Sequence, residues 1–429
     1  MTSEARTIRV DVAVIGGGLA GMAAAVTAAK SGASVLVLER GPFVGGSAAI
    51  SMGFVWALKD REALAVEDPG LFQRHGSLTV DALPQTLEWL GSHTVALSEP
   101  RMGNVGPGQR FDLSLLFSNL TTALAQHGGQ LIVSAEVTSA KSSDGRPGFV
   151  LHCVSPEEAL VVQAASVVLA TGGRQGDPRV RRELVGGGYT PALRGNPFST
   201  GGGAVIGRQL GAALNLENKG FYGHLFPSGL TPTSPLDFVM LAQYHSDEGI
   251  LLDAAGVPVA DMSHDHINAL RLARTGGRGL LLWSSAVQER ASETAVVPGG
   301  PKLDRWRFAK QRGAKVVVAP NMPELAAAVR PWGYAIVDSE LHLPGAVKDS
   351  PIYGMEVEIA VTFTFGGVVV DDAGVAMTDD GLTIPGLYAV GADMSDAYHE
   401  GYGGGLNLAV ATGRRAGQSA ANRAAHAIA

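Results

Sequence analysis

The stretch that decides the fold is VDVAVIGGGLAG, residues 10–21. Its apolar first half predicts a buried strand, and the Ala-rich residues 22–30 predict a helix. The three glycines of the intervening GxGxxG turn provide a tight turn, close approach of a phosphate, and close packing of helix against strand. The N–H groups at the helix start would bind the same anion. We therefore expect a dinucleotide pyrophosphate here, contacted by Gly16, Gly18, Leu19, Ala20 and Gly21.

An acidic residue follows the next predicted strand. Residues 34–38 are apolar apart from Ser34, and this run leads into Glu39. A carboxylate at that place accepts hydrogen bonds from both ribose hydroxyls and repels a 2′-phosphate. The alternative is a glycine-rich turn that binds nothing, but strand, helix and acidic residue together argue against it. These residues alone leave open whether the dinucleotide is NAD or FAD.

Length and composition narrow the class of protein. A chain of 429 residues exceeds the usual size of one domain, so we expect two lobes. With 46% hydrophobic and 17% charged residues the chain can form a large core, and a net charge of −7 argues against nucleic-acid and anionic-membrane partners. Cys153, the single cysteine, fits a reducing compartment and is interpreted as a small buried hydrophobe. Without a signal peptide or a long apolar run, the protein is expected to be cytoplasmic.

Five further segments carry a family resemblance. They are RGPFVGGS (40–47), VVLATGG (167–173), IPGLYAVGAD (384–393), YGGGL (402–406) and GRRAG (413–417). With the glycine turn, they resemble the fumarate reductase and succinate dehydrogenase flavoprotein superfamily over nearly the whole chain. The resemblance is strongest to the branch of tricarballylate dehydrogenase-like and 3-ketosteroid dehydrogenase-like enzymes.

The resemblance implies FAD and an α/β fold. It implies a Rossmann-like FAD-binding domain split between residues 1–218 and 360–429, with an inserted α+β capping domain at 219–359. FAD is expected to be non-covalent, because residues 45–53 contain no histidine for covalent attachment. The further FAD contacts implied by the family are Arg40, Gly46, Ser47, Val137, Ala170, Thr171, Gly172, Asp393, Gly404, Gly405 and Leu406.

The last predicted helix begins near Gly404 and is rich in small residues. Small side chains allow it to pack tightly against a ligand or a neighbouring strand. The N–H groups and dipole at its start would stabilise negative charge on the flavin as the flavin is reduced.

The superfamily oxidises or forms a C–C bond next to a carbonyl, which requires a proton-transfer group and a donor to the carbonyl. Tyr402 is the first candidate: it either polarises a substrate carbonyl or packs on the flavin edge. His224 is either a proton donor or a structural histidine. Tyr398, His399 and Glu400 precede Tyr402, and one of them is expected to reach the pocket. No metal site is expected, and residues 264–266 (HDH) are interpreted as a solvated loop.

Two departures from the family narrow the substrate. Fumarate reductases carry an essential arginine in a Gly-x-Arg-Phe element, where this chain has GVPVAD (256–261). Their His-His-Thr element becomes TFTFGG (362–367), which loses a carboxylate ligand and adds aromatic surface. The sequence thus argues against fumarate and favours a small-molecule substrate with less charge, such as a ketone or polycyclic natural product.

Two other classes of function stay open at this point. One is an FAD oxidase or monooxygenase that uses oxygen, and the other is a flavoprotein without redox turnover, for example one that catalyses an isomerisation. No second strand-glycine-helix unit for NAD(P) is visible. The electron partner would accordingly be a quinone, a small carrier protein or oxygen.

Overall fold

The chain forms two compact units. The computed structural model describes residues 5–68, 77–103, 106–143, 148–234, 237–259, 262–296, 300–336 and 351–428. The first unit comprises Met1–Asp177, Asn196–Gly220 and Phe363–Ala429, and the second comprises Pro178–Gly195 and Phe221–Thr362. The second unit therefore includes Pro178–Gly195, which was predicted to belong to the first part of the FAD-binding domain, residues 1–218.

The first unit is a mixed α/β structure. Its strands are β1 (Arg6–Ile15), β2 (Val35–Leu38), β3 (Phe54–Trp56), β4 (Arg101–Met102), β5 (Pro107–Arg110), β6 (Gln130–Ile132), β7 (Glu136–Ser142), β8 (Phe149–Val154), β9 (Ala159–Leu169), β11 (Leu214–Asn215), β17 (Gly367–Val368), β18 (Val375–Met377) and β19 (Thr383–Ala389). Its helices are α1 (Leu19–Lys30), α2 (Arg61–Glu67), α3 (Ser77–Gly91), α4 (Leu113–Gln126), α6 (Gly202–Gln209) and α12 (Gly405–Ile428). The strands and helix predicted between residues 10 and 38 are confirmed, with β1 and α1 beginning earlier than expected.

A parallel sheet positions the glycine turn. The strand order is β18-β19-β9-β1-β2-β6, in which β19, β9, β1, β2 and β6 run parallel. The carboxyl ends of these strands lie along one edge of the sheet, the edge at which open α/β sheets bind ligands. β7 and β8 extend the sheet from β9 as antiparallel strands. Cys153 lies in β8 and is buried, as predicted.

Helices α1 and α12 pack together through glycine. A Cβ atom at Gly413 would lie 2.2 Å from the carbonyl oxygen of Ala20, and one at Gly417 would lie 2.3 Å from that of Ala24. The small residues of α12 thus allow close contact with helix α1, which was not predicted, while α12 also contacts strands β1, β3 and β9, in agreement with the predicted packing against a strand. This contact holds the start of α12 in a fixed relation to the glycine turn, because α1 begins at that turn.

We expect Gly413→Ala to destabilise the protein. At an exposed helix position the change raises stability by about 1 kcal/mol. Here the added methyl group overpacks the contact with Ala20, and we expect a loss of about 1–3 kcal/mol. Thermal unfolding followed by circular dichroism measures the sign of the change. The control is Gly91→Ala at the end of α3, where no atom lies within 4 Å of an added Cβ. A stabilised Gly413→Ala protein would contradict the close contact.

The second unit has its own sheet. Its strands are β10 (Ala192–Leu193), β12 (Phe221–Pro227), β13 (Ile250–Asp253), β14 (Arg278–Ser284), β15 (Val316–Ala319) and β16 (Ile352–Thr364). The strand order is β10-β16-β14-β13, and β12 and β15 also pair with β16. Its helices are α5 (Pro178–Glu183), α7 (Asp237–Met240), α8 (Asp265–Arg274), α9 (Ser285–Glu293), α10 (Arg305–Gln311) and α11 (Met322–Val329). Among the described helices of both units, none has the length and apolar character needed to cross a membrane.

Candidate functional site

Of the three glycines in the GxGxxG motif, only Gly18 has free space where a side chain would begin. Gly16 has φ +108°, and a Cβ there would lie 2.3 Å from the carbonyl oxygen of Ala170. A Cβ at Gly21 would lie 1.9 Å from the carbonyl oxygen of Gly16. Gly18, the N-cap of α1, has φ −70° and no atom within 4 Å of an added Cβ. Backbone packing therefore requires the outer two glycines, whereas the space above Gly18 is open to a ligand, as a pyrophosphate contact needs.

Glu39 connects the turn to the loop that follows β2. Its carboxylate is buried and accepts hydrogen bonds from the Gly17 N–H (2.6 Å) and the Gly41 N–H (2.5 Å). Each carboxylate oxygen keeps further acceptor capacity, so these bonds are compatible with a ribose contact. The Ala135 N–H donates to the Glu39 carbonyl at 2.8 Å, which places Val137, in β7, near the same strand end.

The loop after Glu39 lies directly against the glycine turn. The Gly45 N–H donates to the Gly17 carbonyl at 2.9 Å, and Gly46 has φ +52°. Ser47 Oγ accepts the Asn196 N–H at 3.1 Å. This arrangement places the backbone of Gly46 beside the turn.

The Arg40 side chain contacts two polar side chains of the first unit. Its guanidinium donates to Thr200 Oγ1 at 2.6 Å and lies 3.6 Å from the carboxylate of Glu136. Both groups of the ion pair are substantially exposed, so the pair itself contributes little to stability. A contact between Arg40 and FAD stays a prediction.

Asp393 holds the ATGG turn after β9. The Thr171 hydroxyl and the Gly173 N–H donate to Oδ1 at 3.0 and 3.1 Å, and the Thr171 N–H donates to Oδ2. Burial raises the pKa of Asp393 above its usual value, against the effect of these hydrogen bonds. The carboxylate fixes the turn that contains Ala170 and Gly172, and its contact with the ribitol stays a prediction.

The start of α12 is surrounded by aromatic rings. Gly404 has φ +97°, and Tyr402 Oη accepts the Gly405 N–H at 2.8 Å. Leu406, next in the helix, is half-buried. Neighbouring ring centroids lie 5.3 to 6.0 Å apart in an aromatic cluster formed by Trp56, Phe363, Phe365, Tyr398 and Tyr402. The sequence predicted added aromatic surface at 362–367, and the two phenylalanines of that segment supply it.

The candidates at residues 398–400 differ in the burial of their side chains. The carboxylate of Asp68 accepts the backbone N–H groups of His399 (2.7 Å) and Glu400 (3.1 Å), and both side chains are exposed. Tyr398 is buried, and its hydroxyl has no hydrogen-bond partner among the described residues. Burial raises the pKa of Tyr398 well above its usual value. Tyr398 thus lies beside Tyr402, and a catalytic role for His399 stays a prediction.

The third catalytic candidate, His224, lies in the second unit. Its Nδ1 is 2.5 Å from Asp265 Oδ2 and its Nε2 is 3.0 Å from the Tyr222 hydroxyl. Burial, assisted by the charge of Arg194, lowers the pKa of His224 to about 4 despite the attraction of Asp265. The imidazole is therefore neutral at physiological pH.

The prediction of a solvated loop at residues 264–266 was wrong. Asp265 and His266 are buried in the first turn of α8, and Asp265 contacts His224. The signal that could have found this is the acidic residue shortly before Ile267, which is typical of a helix start that leads into apolar residues.

Two buried or partly buried arginines of the second unit were not predicted from the sequence. Arg194 donates to the Tyr244 hydroxyl at 3.1 Å, and the Tyr244 ring lies edge-on to His224 at 5.0 Å. Arg305 is buried over the Tyr244 ring at 5.1 Å, and its Nη2 has no partner within the described part of the chain. In the segment where the family arginine was sought, residues 260 and 261 lie outside the described residues.

Comparison with known families identifies the cofactor. A family profile described as an FAD binding domain matches residues 113–407, well over half of the chain. The chain belongs to this FAD-binding family. A second profile, described as FAD dependent oxidoreductase, matches residues 11–174. The protein is thus an FAD-dependent oxidoreductase of the fumarate reductase and succinate dehydrogenase flavoprotein superfamily, and FAD is its cofactor.

Two distant relatives are similar over nearly the whole chain. A fumarate reductase (cytochrome) of Shewanella frigidimarina is 25% identical, with 96% of this chain and 77% of the relative covered. A vinyl phenol reductase of Lactiplantibacillus plantarum is 23% identical, with 96% of each covered. The solved structure of a 3-ketosteroid-delta4-(5alpha)-dehydrogenase of Rhodococcus jostii has a TM-score of 0.70 at 20% identity, covering 98% of both chains. The last similarity shows a shared fold.

Proposed function

We propose that this oxidoreductase dehydrogenates or reduces a C–C bond next to a carbonyl, in a ketone of low charge. The observation that carries the proposal is the Tyr402 hydroxyl, held by the Gly405 N–H at the start of α12 inside the aromatic cluster. A phenol whose oxygen accepts a hydrogen bond is a stronger donor through its own O–H. Such a donor stabilises the negative charge that develops on a carbonyl oxygen.

The first unit offers the residues that would hold FAD. The open space above Gly18 fits a pyrophosphate, and the buried Glu39 carboxylate fits a ribose diol. Bound FAD supplies the group that exchanges a hydride with substrate carbon. The ATGG turn fixed by Asp393, the loop through Gly46 and the first residues of α12 complete the proposed contacts.

The aromatic cluster supports a substrate of low charge. Phe365, Tyr398 and Tyr402 are buried, and Phe363 contacts all three. Aromatic rings cannot replace the hydration of a carboxylate, so a dicarboxylate beside them would be desolvated without compensation. A flat apolar ring system bearing a ketone would instead gain from contact with the same surface.

The test is anaerobic flavin spectroscopy with compounds chosen from the relatives. Because the Rhodococcus structure contains 4-androstene-3,17-dione, we would mix the oxidised protein with its saturated counterpart, 5α-androstane-3,17-dione. Dithionite-reduced protein would be mixed with 4-androstene-3,17-dione, a vinyl phenol or fumarate. We expect the flavin absorbance to respond to a ketone and not to fumarate. Rapid reoxidation by fumarate alone would contradict the proposal, and peroxide formation from amines would favour an oxidase.

A further inference from the structure

Residues 196–200 (NPFST) form a segment of the first unit that is bound at both ends by loops to which FAD contacts were assigned. The Asn196 N–H donates to Ser47 Oγ at 3.1 Å. Just past the other end, the Gly201 N–H donates to the Gly173 carbonyl of the ATGG turn at 3.0 Å. The 196–200 segment therefore connects two of the loops that would hold FAD, and all of these residues belong to the same unit.

The 196–200 segment carries two side chains that suit the adenosine diphosphate half of FAD, one an amide and the other an aromatic ring. We propose that Asn196 donates a hydrogen bond to the FAD pyrophosphate and that Phe198 contacts the adenosine. The inference rests on the placement of FAD proposed above, and it is independent of the substrate.

The Asn196 amide is oriented by the backbone of its own segment. The Phe198 N–H donates to Asn196 Oδ1 at 3.1 Å, and because an N–H pairs only with the amide oxygen, this bond fixes which amide atom is Nδ2. A Cβ added at Gly46 would lie 3.6 Å from Nδ2 and 3.4 Å from the Gly18 Cα. Nδ2 and Gly18 therefore lie on the same side of Gly46, close to the space assigned to the pyrophosphate. Hydrogen bonds to a charged phosphate oxygen belong to the stronger class.

The Phe198 ring lies beside the carboxylate that fits the ribose. A Cβ added at Gly41 would lie 3.2 Å from Phe198 Cδ2 and 3.0 Å from Glu39 Oε1. Arg40 holds the end of the 196–200 segment in place through a hydrogen bond to Thr200 Oγ1 at 2.6 Å. The Phe198 side chain is 39% exposed, so part of its ring is open to a ligand. An aromatic ring at this position buries apolar surface against an adenine or a ribose.

The rate at which the holoenzyme releases FAD, followed as flavin fluorescence after dilution, tests Asn196. Asn196→Asp keeps an oxygen that accepts the Phe198 N–H, so the conformation of the segment is retained, but a negatively charged oxygen replaces the amide donor. We expect release about 10- to 100-fold faster than in the wild-type protein, because a hydrogen bond to a charged group is lost and like charges repel. Wild-type release from Asn196→Asp would overturn the contact with the pyrophosphate.

Two further variants separate the donor from the cap. Asn196→Ala loses both, so a purely structural role predicts faster release from Asn196→Ala than from Asn196→Asp, whereas a donor to phosphate predicts the reverse order. Asn321→Asp is the matched control for the added charge, because Asn321 Oδ1 also caps a backbone N–H, that of Glu324, in the second unit. It should release FAD at the wild-type rate.

Phe198→Ala is measured in the same way. We expect FAD release about 10-fold faster, because the base and sugar lose contact with an aromatic ring. The control is Leu382→Ala, which removes an exposed apolar side chain elsewhere in the first unit and should leave the rate unchanged. Wild-type release from Phe198→Ala would overturn the contact with the adenosine.

Neither measurement uses a ketone, so the outcome is separate from that of the proposed reaction. If Gly18→Val retains FAD, the placement of the pyrophosphate is wrong and this inference fails with it. If Gly18→Val loses FAD while Asn196→Asp and Phe198→Ala release it at the wild-type rate, the placement stands and only the role of the 196–200 segment is refuted.

Discussion

Gly18→Val is expected to yield a folded protein without FAD. A Cβ atom at this position has no protein atom within 4 Å, and the backbone φ of −70° is an ordinary one for valine. The volume that valine would fill is the one a pyrophosphate needs at the start of α1. We expect the yellow colour to be lost and FAD affinity to fall by at least about a hundredfold. Flavin absorbance of the purified protein and titration with FAD measure both effects.

The specificity of that result depends on its controls. Gly21→Val would also remove FAD, but its Cβ would lie 1.9 Å from the Gly16 carbonyl oxygen, so misfolding would explain the loss equally well. Gly188→Val is the better control, because Gly188 also has no atom within 4 Å of an added Cβ and lies outside the turn. It should stay yellow. A yellow Gly18→Val protein with normal affinity would refute the assignment of the pyrophosphate to this turn.

The sequence was most informative where function depends on backbone shape. A GxGxxG turn restricts φ, ψ and Cβ volume at fixed positions, so residues 16–21 can be placed from their spacing alone. The strands at 10–15 and 34–38 have strong apolar patterns, and neighbouring parallel strands bring their ends to one edge of the sheet. These restraints are local in sequence, and the structure confirms the strands and the helix between them.

Side-chain contacts between residues far apart in the sequence could not be predicted from local patterns. His224 and Asp265 are 41 positions apart and meet only because α8 packs on β12. No local sequence signal identifies either residue as the partner of the other. The polar HDH segment was interpreted as a loop, so the start of α8 was not predicted. Asp393 shows a related difficulty. Its position after β19 was predictable, but no local sequence signal shows that its carboxylate accepts the backbone N–H groups of Thr171 and Gly173, more than 200 positions earlier.

Tyr402→Phe is expected to slow flavin reduction by a ketone substrate about 10²- to 10³-fold while FAD content is unchanged. The substitution keeps the ring in the aromatic cluster and removes only the hydroxyl that accepts the Gly405 N–H. Stopped-flow reduction by 5α-androstane-3,17-dione measures the rate, and flavin absorbance measures FAD content. A variant that loses FAD would indicate that Tyr402 supports the cofactor through α12 and is not a carbonyl donor.

Tyr398→Phe decides between the two tyrosines. The rings of Tyr398 and Tyr402 lie 5.3 Å apart, so both variants lose one hydroxyl from the same cluster. The Tyr398 hydroxyl is buried without a partner in the described part of the chain, and removing it should leave stability unchanged or increase it. If Tyr402 is the donor, only Tyr402→Phe is slow. If Tyr398→Phe slows flavin reduction and Tyr402→Phe does not, the carbonyl donor is Tyr398. Its hydroxyl would then donate the hydrogen bond to the substrate carbonyl.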